Sequence, residues 1–142
     1  MKSKPFRRLV GAVVPPMVDR GIPVEVGGSG ALLLRGADVE PGDLDLLVPE
    51  ESLGAIRDLI PDGHLDTSHA GPWLTSWRYR WDSVEALGGA VLRDGAEPWV
   101  IPLGDPDLVI VDDVEIPLSP LAVWIRIYRI IGSDRLSIAE AL

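Results

Sequence analysis

At 142 residues and 46% hydrophobic content, the chain is long enough for one domain with a real core and too short for two. Its net charge of −9 argues against bulk nucleic-acid binding, which usually needs a basic surface, but leaves room for a small nucleotide escorted by a metal ion. The absence of cysteine excludes disulfides, thiolate zinc sites and cysteine nucleophiles.

The opening residues, Met1 to Arg8 followed by the apolar run Leu9–Val14, imitate a signal peptide only superficially. Pro15 and Pro16 interrupt the run and no small-residue cleavage site follows. Pro5–Val14 reads instead as an amphipathic helix, broken or restarted at the two prolines. Gly21 caps it, and Ile22–Val26 forms a first strand. Ser29 is placed to N-cap a short helix over Gly30–Arg35, which Gly36 ends. Leu44–Val48 is a near-continuous apolar strand of the kind buried on both faces.

Pro49–Ile60 reads as a helix with Glu50 and Glu51 near its start and Pro61-Asp62-Gly63 at its end. Four β-like stretches follow: Leu65–Ser68, Leu74–Trp81, Ala90–Arg93 and, after the Asp94-Gly95 hairpin signal, Trp99–Leu103. Leu108–Val111 and Val114–Ile116 are two more short strands. Ser119-Pro120 starts a helix through Ile131, Gly132 ends it, and Ser133 begins a last helix to Leu142. The pattern predicts a single α/β domain with a mixed sheet over residues 1–142. No stretch approaches a transmembrane span, so a cytoplasmic protein is expected. Whether the natural chain continues past Leu142 stays open.

Asp43 and Asp45 are the residues that most need a reason. Strand side chains alternate faces, so the two carboxylates point the same way while Leu44 and Leu46 point into a core. Like charges side by side gain nothing from burial, whereas a hard divalent cation prefers such oxygens. The alternative is a solvated strand face. Just upstream, the Gly27–Gly30 turn offers backbone N–H groups to a phosphate. Gly28 and Gly30 also fit part of a dinucleotide fingerprint, but the third position is Leu33 and the helix is too short. No Gly-Lys-Ser/Thr pattern occurs. Trp77-Arg78-Tyr79-Arg80-Trp81 alternates cleanly and reads as aromatic core on one face with arginines on the other, or as a stacking platform for a ligand. His64 and His69 have no helical partner, and Asp112-Asp113 reads as a turn.

The Gly-Gly-Ser turn followed by Asp43-x-Asp45 resembles the nucleotidyltransferase superfamily over about Gly21–Val48, with a weaker echo at Leu118–Leu121. The resemblance implies that Gly28 and Ser29 hold the nucleotide's phosphates and that Asp43 and Asp45 bind Mg²⁺ (or Mn²⁺). It implies transfer of a nucleoside monophosphate from an NTP to a small-molecule, RNA-end or protein acceptor. A third carboxylate on a later strand completes such sites, normally after a Gly-containing hairpin. The matching stretch here is Asp94–Leu103, in which Glu97 is the nearest acid and is expected to be the third catalytic group. The late helix carries Arg126 and Arg129 where the family often has lysine. The alternative implied by these departures is a nucleotidyltransferase-like binding module or partner subunit without turnover.

Overall fold

The computed structural model describes residues 1–142. Helix α1 spans Ser3–Asp19 and runs unbroken through Pro15 and Pro16, where a break or restart is expected from the sequence. Those prolines leave the carbonyls of Gly11 and Ala12 without their usual donors, and both residues are exposed to water, which satisfies them. The helix stops at Gly21, whose φ of 75° lets Ile22 N–H reach Met17 O at 3.0 Å.

Strand β1 is shorter than expected, Glu25–Gly27, and helix α2 starts immediately at Gly28 and ends at Leu34. Gly27, not Ser29, occupies the capping position, so Ser29 lies in the first turn. Strand β2 (Leu44–Val48) leads to a 3-10 turn at Glu50–Ser52 and helix α3 (Leu53–Leu59). Four strands then follow: β3 (His64–Asp66), β4 (Trp77–Trp81), β5 (Val84–Gly88) and β6 (Val91–Asp94). The rest is β7 (Glu97–Val100), β8 (Asp107–Val111), β9 (Val114–Leu118), α4 (Leu121–Ile131) and α5 (Leu136–Glu140). Strand β5 has no counterpart in the sequence reading.

Seven strands form one mixed sheet in the order β3-β4-β5-β2-β1-β9-β8, and β6-β7 is a separate hairpin. The pairs β2/β5 and β1/β9 are parallel and the others antiparallel. Residues paired directly across strands share a face, so Val26, Leu44, Leu46, Val84, Ala86, Trp77 and Tyr79 form one continuous apolar face. Phe6, Val10, Val14 and Met17 of α1 and Ile56 of α3 join them in one buried core.

The aromatic strand follows the alternation. Trp77 and Tyr79 are buried, and Arg78 and Arg80 face the opposite side of the sheet. Trp77 packs over Gly88 and donates its Nε1–H to Glu50 O at 2.9 Å. The Tyr79 hydroxyl donates to Ile60 O at 2.6 Å and accepts from Gly63 N–H at 2.9 Å. These bonds fix both ends of the segment carrying α3 to the sheet. No helix is long and apolar enough to cross a membrane.

Candidate active site

The second face of the sheet carries the chemistry. Across five strands a single row reads His64, Arg80, Glu85, Asp45, Gly27, each in register with the next. The row beside it reads Asp66, Arg78, Leu87, Leu47, Glu25. The sheet thus brings Asp45 of β2 next to Glu85 of the parallel strand β5. Glycine at 27 leaves room for the Trp124 ring of α4, which a Cβ there would strike.

Gly28 lies directly against the acid. Its φ is 63°, and an added Cβ would run into Asp45 Oδ2. The turn therefore needs glycine for both conformation and space. Gly28, Ser29, Asp45 and Glu85 line an open cleft of about 310 Å³, together with Trp73, Arg78 and Leu87 and with Trp124, Tyr128 and Arg135. Asp43 is exposed just before β2, outside the lining residues.

Burial pushes the Asp45 carboxyl up to about 7, aided by the negative charges of Glu85 and Asp43 and opposed by Arg80. Glu85 is held by Arg80, Nη2 to Oε2 at 2.8 Å. Beside them, Arg78 Nη2 pairs with Asp66 Oδ2 at 2.9 Å. On the α4 wall, Trp124 Nε1 and the Tyr128 hydroxyl are buried without any hydrogen-bond partner. Buried polar groups are rarely left this way unless something else satisfies them, and both residues border the cleft. Burial also pushes the Tyr128 phenol up to about 12, so it stays a donor.

Glu97 is not brought to this cluster. It opens β7, exposed and opposite Asp94, and Arg126 fastens this hairpin to α4 by bonding Asp94 at 2.9 Å and lying 4.0 Å over the Trp99 ring. The acid beside Asp45 is Glu85. Glu85 stands between apolar Val84 and Ala86 on a strand that follows a hairpin, the setting expected for the third carboxylate, but the turn contains Asp82 at φ 47° where glycine is usual. That substitution hid it. Arg126 and Arg129 also lie outside the cleft, and its cations are Arg78 and Arg135.

No three His, Asp or Glu side chains stand close enough together to hold a metal ion as a ready set. The oxygens of Asp45, Glu85 and Asp43 nevertheless fit a divalent cation in kind: hard donors, mutually repelling, beside a bare glycine turn.

Neither a protein-family model nor a curated protein sequence matches the chain. Solved structures do. A Thermotoga maritima protein assigned as a nucleotidyltransferase superposes with a TM-score of 0.71 at 20% identity, over 99% of this chain and 92% of that one. The solution structure of the antibiotic-resistance factor ANT(2″)-Ia gives a TM-score of 0.67 at 10% identity, over 97% and 84% of the two chains. A crystal structure of ANT(2″)-Ia in complex with adenylyl-2″-tobramycin gives 0.63 at 11% identity, over 94% and 86%. At such identities the likeness is one of fold, and the chain has a nucleotidyltransferase-like fold.

Proposed function

We propose that the protein transfers a nucleoside monophosphate from an NTP to a hydroxyl or similar acceptor, the acceptor oxygen bonding to the α-phosphorus as pyrophosphate leaves, with Mg²⁺ or Mn²⁺ held by Asp43 and Asp45 and with Glu85 in place of Glu97 as the third acid. The observation that carries this reading is the pairing of Asp45 with Glu85 at the floor of a cleft whose other edge is the Gly28-Ser29 turn. When bound, the cation would neutralise charge on the phosphates. Gly28 and Ser29 would position the phosphate chain at the start of α2, where the bare Cα of Gly28 lets the Asp45 carboxylate lie against the turn. Tyr128 and Trp124 would donate to ligand oxygens, which gives both orphaned groups a partner. Glu85 would share the cation or take the acceptor's proton.

A small molecule is the favoured acceptor. The cleft has the size of a small-ligand site, and ANT(2″)-Ia binds the adenylylated small molecule adenylyl-2″-tobramycin. A second reading, a binding module without turnover, is favoured by one observation: Glu85 is engaged by Arg80 and no ready set of three acids exists. The deciding experiment titrates Mn²⁺ and each NTP into wild type and the Asp43→Asn/Asp45→Asn double variant, then follows labelled NTP into a pool of metabolites. Metal-dependent binding lost in the double variant, with label transferred, supports the enzyme. Binding without transfer in any pool supports the module, and equal binding by both proteins removes the metal assignment.

A further inference from the structure

The acid row contains its own cation. Arg80 stands between His64 of β3 and Glu85 of β5, and its guanidinium grips Glu85 Oε2 at 2.8 Å. The acids whose charges it feels come from three strands or their ends: Glu85 on β5, Asp43 before β2 and Asp66 on β3, while Asp45 feels it in turn. Arg78, one row away, differs. Its side chain is 22% exposed and anchored to Asp66, whereas that of Arg80 is 61% exposed and that of Glu85 only 14%. Arg80 therefore has open water to swing into, and Glu85 does not.

We propose that Arg80 is a displaceable internal counter-cation, which holds Glu85 away from Asp45 and is driven off when a divalent cation arrives. This rests on the reading of Asp45 and Glu85 as a cation site. It accounts for two facts at once: three acids gather on one face, and yet they form no ready three-ligand set. A guanidinium carries one charge and donates to fixed directions, while Mg²⁺ or Mn²⁺ carries two and would accept carboxylate oxygens from Asp45 and Glu85 alike. Only the arginine end of the pair is exposed, so the guanidinium can pass into water at little cost once the cation takes over the charge of Glu85. The same pair keeps the acids from repelling each other when no metal is bound. Arg80 on this account is a positioning residue, acting chiefly through Glu85, the one acid of the site it bonds.

The test measures Mn²⁺ alone, by the loss of the free-ion paramagnetic resonance signal, on wild type, Arg80→Gln, Glu85→Gln, Arg78→Gln and the Arg80→Gln/Glu85→Gln double variant. Arg80→Gln should bind Mn²⁺ about three- to tenfold more tightly, the size of a nearby unit charge in a partly solvated site. Glu85→Gln should bind more weakly, and removing Arg80 should gain much less in the Glu85→Gln background than in wild type, because only its through-space effect on Asp45 is left. Arg78→Gln should show no such gain. Melting curves by circular dichroism check folding, with Arg80→Met as a second variant that keeps the aliphatic stem. If wild type binds and Arg80→Gln binds no better, or if the gain survives undiminished in the double variant or appears equally in Arg78→Gln, the latch is overturned and the cation site stands. If none of the proteins binds Mn²⁺, the cation site itself falls and the latch with it.

Discussion

Asp45 and Glu85 occupy matching positions on two parallel neighbouring strands, so their carboxylates share one face at one height. Burial, aided by the negative charge of Glu85 beside it, keeps a proton on Asp45 up to about pH 7.

The sign of the resulting pH dependence is fixed. Unfolded Asp45 loses its proton near 3.8, while the folded protein keeps it until about 7. Folding is favoured below that window, and stability falls as pH rises through it. The loss is on the order of 4 kcal/mol by the usual conversion. Asp45→Asn should flatten the profile between pH 4 and 7 and raise stability at pH 8. Urea melts across that range, with and without Mn²⁺, measure both effects. A wild-type profile that rises over this window would contradict the burial argument.

Transfer should separate the two candidate third acids. Glu85→Gln should lower the rate of label transfer by about 10²-fold or more, the range for losing a positioned acid or base. Glu97→Gln, on an exposed hairpin strand, should leave both rate and melting temperature unchanged. The comparison uses single-turnover assays at saturating Mn²⁺.

Tyr128 offers a test in which stability and binding part company. Its hydroxyl is buried and unpartnered, so Tyr128→Phe removes a desolvated group that gives folding nothing and should leave stability equal or slightly higher. NTP affinity should fall by roughly five- to twentyfold, the value of one hydrogen bond to a buried donor. Calorimetric titration on the folded variant reads the second number.

The aromatic strand gives a purely structural prediction. Trp77 is buried over Gly88 and its indole N–H holds Glu50 O. Trp77→Ala should cost about 3–5 kcal/mol. Arg78→Ala removes a partly exposed pair with Asp66 and should cost under about 1 kcal/mol. Denaturant midpoints for the two variants should differ by that gap.

What the sequence made legible follows from local rules. The strand–turn–helix–strand unit through Asp45, the alternation of Trp77–Trp81 and the hairpin at Asp94-Gly95 each depend on neighbours a few residues apart. Three features depended on more. The helix through Pro15-Pro16 survives because Gly11 and Ala12 lie open to water, which is a tertiary fact. Glu85 was hidden because Asp82 adopts the left-handed conformation usually signalled by glycine, so the strand after it had no visible start. Trp124, Tyr128 and Arg135 reach the cleft only through the packing of α4 and α5, and their spacing alone reads as ordinary helix.

The strand order also sets when the cleft can exist. Strand β1 lies between β2, its near neighbour in the chain, and β9, which arrives only after most of the sequence. On a ribosome the sheet β3-β4-β5-β2-β1 can pair before β9 emerges, leaving β1 as a bare, sticky edge. Because the α4 wall follows β9, Trp124 settles over Gly27 only when that edge is closed. Nascent or clipped chains lacking the last thirty or so residues (roughly, from the late, long-range closure) would carry every acid of the row and yet have no pocket, and their fate would be aggregation rather than partial activity.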